Sequence, residues 1–159
     1  MDFRRLFDLF LYQEAKYPQK KALSSIKGYV ESSYSTHECI KITNQLSAGL
    51  LDLGLKKGDK VAIFAHCGSP IWNFTDLALQ QIGVVVVPIH STVKNEDLIY
   101  ILKDSESKIC FASNKEMYEK VLAVKGSILD LKSIYTFEKI TDVPHWETLK
   151  TPPSERHLA

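Results

Sequence analysis

The stretch from Leu55 to Pro88 constrains the fold more than any other part of the chain. Val61 to Ala65 is a short apolar run after a Gly58-Asp59 turn. Ser69 is placed to cap a helix that begins at Pro70, where a missing N–H costs nothing. Gly83 follows the last apolar helical position, as a C-terminal glycine should. Val84 to Val87 is β-branched with no polar alternation, which predicts a strand buried on both faces. Two such strands joined by a helix make a right-handed βαβ unit, and its strands must be parallel.

The same grammar repeats along the chain. Phe3, Leu6, Phe7, Phe10 and Leu11 recur at helical spacing and predict a helix from about Phe3 to Lys16, stopped by Pro18. Ala22–Ile26 and Val30–Tyr34 flank Lys27-Gly28 and read as a hairpin. Ser35 with Glu38 is a capping box that opens a helix through Cys39, Ile42, Leu46, Leu50 and Leu53, closed by Gly54. Leu98, Ile101 and Leu102 mark a helix over 95–104, and Lys108–Ala112 a strand. Ser113 with Glu116 reads as a second capping box, opening a helix through Met117, Val121 and Leu122. Leu131–Phe137 reads as a last strand. Strand starts near 61, 84, 108 and 132, with a helix in each gap, predict an α/β fold: a mostly parallel sheet with helices on both faces. Residues 1–143 form this α/β subdomain. The stretch 144–159, with Pro152-Pro153 and Glu155-Arg156-His157, reads as a linker or truncated end.

Composition removes several function classes. The 159 residues suit one domain with a core, and a net charge of +1 makes no electrostatic case for nucleic acid. No apolar run is long enough to span a bilayer, and residues 1–17 carry charges throughout, unlike a secretory signal. Cys39, Cys67 and Cys110 are scattered and odd in number, which suits reduced thiols in a cytoplasmic protein. The glycines form neither G-x-G-x-x-G nor G-x-x-x-x-G-K-[ST], and G-x-S-x-G and H-E-x-x-H are absent.

Ligands of open parallel sheets bind beyond the carboxyl ends of the strands. Two such ends carry polar groups: His66-Cys67-Gly68-Ser69 and His90-Ser91-Thr92. His66, His90 and Thr92 are therefore candidates for a pocket wall. The plainer expectation is that Ser69 and Thr92 cap helices and both histidines are partly exposed loop residues. Two histidines do not make a metal site, since zinc needs three or four ligands. Trp72 and Phe74 at helical spacing read as core, and Lys56-Lys57 as a solvated turn. No catalytic, cofactor-binding or metal residue is assigned.

Tyr34-Ser35-Thr36, then Gly54 to Ile63, Pro70-Ile71-Trp72, Gly83-Val84 with Pro88, Thr92, and Leu98 to Ser105 together resemble the amino-terminal part of the AMP-forming acyl-CoA synthetases, the adenylate-forming superfamily. Within it the chain looks closest to bacterial long-chain fatty acid–CoA ligases. It departs from the usual pattern at Gly68, Ile71 and His90-Ser91. The resemblance implies a parent enzyme that uses ATP, Mg2+ and CoA to activate a fatty acid. That enzyme would be cytoplasmic, or peripheral on a membrane, with the phosphate loop and catalytic lysine later in the chain. The chain itself is then expected to be an inactive amino-terminal fragment with no cofactor bound, and to self-associate or form a homodimer through apolar surface that the missing parts would cover. Two alternatives stay open: a stand-alone, non-catalytic α/β binding module, and a fragment of an adenylating enzyme for another carboxylic acid.

Overall fold

A computed structural model describes residues 4–66 and 68–157. The described residues form five helices, six strands and two short 3-10 turns: α1 (Asp8–Lys16), β1 (Leu23–Lys27), β2 (Val30–Tyr34), α2 (Thr36–Asp52), β3 (Lys60–Ala65), α3 (Pro70–Gln81), β4 (Val85–His90), α4 (Asn95–Asp104), β5 (Ile109–Ala112), α5 (Lys115–Lys125), β6 (Ser133–Thr136), and turns at Trp146–Leu149 and Glu155–His157. The first helix starts later than its apolar spacing predicts, at Asp8, and Phe3 lies outside the described residues.

β1 and β2 form an antiparallel hairpin turned at Gly28, whose φ of +63° a residue with a Cβ rarely adopts. The other four strands form one parallel sheet in the order β4-β3-β5-β6. The predicted parallel α/β architecture is what the chain adopts. Its central strand β3 is a neighbour to both β4 and β5 and is buried from Val61 to Ala65.

Period-two alternation in β3 and β5 divides the core in two. Val61, Ile63, Ala65, Ile109 and Phe111 face α2 and α3, where they meet Leu46, Leu50, Phe74 and Leu79. Ala62, Phe64, Cys110 and Ala112 face the other way, against Leu98 and Leu102 of α4 and Met117 and Val121 of α5. Full burial of a side chain such as Phe64 contributes about 1.5–3 kcal/mol.

Helix ends follow local chemistry. Ser35 Oγ accepts from the Glu38 N–H at 3.2 Å while the Glu38 carboxylate accepts from the Ser35 N–H at 2.8 Å, the reciprocal capping box. α3 closes at Gly83 (φ +70°), with Gly83 N–H donating to Gln80 C=O at 3.1 Å and Val84 N–H to Leu79 C=O at 3.0 Å.

Three expectations are corrected. The strand after α3 is not buried on both faces. β4 is an edge strand, with Val85 50% exposed, and Pro88, which lacks an N–H to donate, sits where a proline is tolerated. The second capping box does not form. Asn114 caps α5 by accepting from the Met117 N–H at 2.9 Å, and Ser113 Oγ donates instead to Met117 Sδ. Nor is the stretch from 144 a free linker, because Trp146 and Leu149 are buried against α2 and Thr151 N–H donates to Gln45 C=O at 3.0 Å. Gly49 permits that contact: a Cβ there would lie 1.6 Å from the Leu149 carbonyl oxygen.

Two predictions follow from these contacts. Gly49→Ala forces helix and strap apart and should lower unfolding stability by at least about 1–3 kcal/mol in urea titration. Glu38 is held below its ordinary pKa of 4.5, first by the Ser35 backbone N–H and then by the Ser35 side chain. Its contribution is complete above pH 4.5 and is lost as pH falls through the lower folded value. The acid-side decline in urea midpoint should therefore be shallower in Glu38→Gln than in the parent.

Candidate functional site

The strand order places a topological switch at the centre of the sheet. From β3 the chain passes through α3 to β4 on one side, then back through α4 to β5 on the other side of β3. α3 covers one face of the sheet, and α4 and α5 the other, so the connections leaving β3 and β5 diverge. A crevice at the carboxyl ends of such strands is where open α/β sheets take their ligands.

The edges of this crevice are polar. Beyond β3 come His66, exposed, and Ser69, whose Oγ accepts from the Ile71 N–H at 3.2 Å to start α3. Beyond β5 come Ser113, whose N–H donates to Phe64 C=O at 3.0 Å, and Asn114, the α5 cap. The first turns of α3 and α5 thus lie on the two sides of the switch.

The three pocket-wall candidates are partly assembled. The register sets Ala65 beside His90, so the exits of β3 and β4 are adjacent. His90 and Thr92 come together: His90 Nδ1 accepts from the Thr92 N–H at 3.3 Å and lies 2.9 Å from Thr92 Oγ1. Thr92 does not cap α4, because that helix begins after Lys94 with no side-chain cap. His66 makes no hydrogen bond to either; it acts electrostatically on Glu116 of α5. The Glu116 carboxyl is held below its ordinary value, mainly by the Lys120 ammonium, with His66 adding to the effect. Cys67 lies outside the described residues.

Asn114 and Glu116 border the crevice, and sequence reasoning assigned neither to it. The available signal was Asn114 directly before a charged first turn, since asparagine is a stronger N-cap than its position inside Ser-Asn-Lys-Glu suggests. The arrangement offers hydrogen-bond donors and acceptors to a ligand. Among the described residues no group of three His, Cys, Asp or Glu could hold a metal ion. Cys110 and Cys39 are buried free thiols pushed up to about 12 and about 11 by burial, so they are poor nucleophiles.

A hollow of about 730 Å3 opens at the opposite end of the strands, between Arg5, Lys57, Gly83 and His157. It faces the carboxyl ends of α2 and α3, not the switch crevice, and the strand topology favours the crevice as the ligand end.

If Asn114 starts α5 and Ser113 does not, Asn114→Ala should cost about 1 kcal/mol of stability in urea titration, with Ser113→Ala costing clearly less.

A family model described as AMP-binding enzyme matches residues 10–158. The chain is 31% identical over 108 residues to the long-chain-fatty-acid–CoA ligase FadD15 of Mycobacterium bovis, a match covering 66% of this chain and 18% of that protein. It is also 31% identical over 108 residues to a crotonobetaine/carnitine–CoA ligase of Escherichia coli, covering 66% of this chain and 21% of that protein. The match thus takes in about a fifth of the length of these relatives. Among solved structures, the anthranilate CoA ligase AuaEII in complex with anthranoyl-AMP superposes with a TM-score of 0.78 at 17% identity, over 92% of this chain and 28% of that one. That likeness is one of fold.

Proposed function

The chain belongs to the AMP-binding enzyme family, and from that premise we propose that it is the amino-terminal α/β part of a longer long-chain fatty acid–CoA ligase. In that reaction a fatty acid carboxylate attacks the α-phosphorus of ATP and pyrophosphate leaves. The CoA thiol then attacks the acyl carbonyl, and AMP leaves. The observation that carries the reading is the family match over 10–158; the M. bovis relative supports the acyl class.

The residues present do not fit Mg-ATP. The chain has no glycine-rich phosphate loop, and no described cluster could hold a divalent ion. No chemical step is therefore assigned to it. Its role is to hold the sheet whose carboxyl edge carries His66, His90 and Thr92, which we assign to the wall of the ligand crevice. The thiols of Cys39 and Cys110, buried and unpaired, support a reducing, cytoplasmic setting. No helix among the described residues is long and apolar enough to cross a membrane.

A second reading, an adenylating enzyme for another carboxylic acid, is favoured by the E. coli relative, whose name specifies crotonobetaine and carnitine.

ATP–pyrophosphate exchange tests both readings. The longer protein carrying this chain should exchange with palmitate and not with anthranilate or carnitine, and the 159-residue chain alone should stay at background. Exchange with anthranilate or carnitine alone would select the second reading. Exchange by the short chain would overturn its scaffold role, and none by the longer protein with any acid would remove the ligase reading.

A further inference from the structure

Several polar side chains at the carboxyl edge of the sheet are already committed. Ser69 accepts from the Ile71 N–H, Asn114 accepts from the Met117 N–H, and the Glu116 carboxylate is paired with the Lys120 ammonium at 2.9 Å. His90 differs from these. It is exposed, one of its ring nitrogens is engaged, and the other has no hydrogen-bond partner among the described residues.

The engaged nitrogen fixes the proton. A backbone N–H can only donate, and the Thr92 N–H meets His90 Nδ1 at 3.3 Å. Nδ1 is therefore the lone-pair nitrogen of the ring, and Thr92 Oγ1 lies 2.9 Å from the same atom. A neutral imidazole carries one N–H, so its proton sits on Nε2. A protonated ring keeps that hydrogen as well. Nε2 is thus a donor in both charge states. It can neither ligate a metal nor take a proton as a general base, so a group that meets it must bring an acceptor.

The fold holds this donor at the ligand end of the sheet. His90 is the last residue of β4, and the register sets it beside Ala65, the last residue of the central strand. Val93 N–H donates to His90 C=O at 3.1 Å, which closes the turn beneath the ring. A triphosphate needs a cradle of several donors, which this chain lacks. A carboxylate oxygen is satisfied by far fewer, and an N–H donor to a charged acceptor makes the stronger kind of hydrogen bond.

We propose that His90 is a positioning residue that donates from Nε2 to a carboxylate oxygen of the acid substrate, with Thr92 holding the tautomer. The identity of that acid rests on the ligase reading above.

Two measurements test the proposal. Long-range nitrogen-15 NMR of the 159-residue chain reads the tautomer without any activity, and neutral His90 should carry its proton on Nε2. An Nδ1–H ring overturns the proposal. Decanoate is then titrated into the longer protein by calorimetry. His90→Asn keeps the turn, because its Oδ1 accepts the Thr92 N–H, but its amide stops short of the Nε2 position. It should weaken decanoate binding about tenfold. His90→Gln, whose amide reaches the Nε2 position, should recover most of that loss. No decanoate binding by the parent, no loss in His90→Asn, or an equal loss in both variants overturns the proposal. The ligase reading fails separately, through absent pyrophosphate exchange by the longer protein.

Discussion

The structure depends on burying both faces of β3. This strand has hydrogen-bonded neighbours on either side and no solvent face from Val61 to Ala65, so each residue must find an apolar layer above or below the sheet. Val61 and Ile63 need α2 and α3; Ala62 and Phe64 need α4 and α5. The helices are consequently divided between the faces, and the chain must cross over β3 to supply both. The switch in strand order, and the crevice that comes with it, follow from that burial.

The strap through Trp146 and Leu149 belongs to the same economy of burial. α2 presents Leu46 and Leu50 to the sheet side of its core, and the strap buries two more large side chains beside them. It approaches so closely that the helix carries a glycine at 49, where the Leu149 carbonyl occupies the position of a side chain. The glycine lies inside the helix, where it weakens local propensity. The packing gained at this crossing outweighs that loss.

The crevice makes a scaffold without being a catalytic constellation. Its polar residues spend their hydrogen bonds on starting helices and closing strand ends: Ser69 on α3, Asn114 on α5, and Thr92 on His90. Such an edge can border a ligand. The phosphoryl and acyl transfers that we propose for the longer enzyme need concentrated donors and charge, which these residues do not supply.

Much of this was legible in the residues. Ser35 with Glu38, Ser69 before Pro70, and Gly83 after the last turn each carry a hydrogen-bond requirement satisfied within a few neighbours, so they mark the same helix ends in any surrounding fold. The alternation of apolar runs and capped helices determined a parallel α/β sheet, because parallel strands need crossovers of that length. Val84–Val87 determined a strand but not its exposure: an edge and a centre differ only in what pairs alongside, and β4 has a single neighbour in its sheet. Ser113 and Asn114 are both good caps, and which one starts α5 depended on where β5 ends against β3. Trp146 and Leu149 carry no periodicity, so their place in the core came only with α2 beneath them. The pocket-wall residues divide the same way. His90 and Thr92, two positions apart, meet through local geometry, whereas the relation of His66 to Glu116 required two strands to pair first. By itself the sequence determined whatever closes within one turn or one crossover, since short-range hydrogen bonds and apolar period depend on near neighbours alone. Strand order, edge exposure, the strap and the facing of side chains across the crevice were decided by tertiary structure, because each depends on which distant surface is available to be buried.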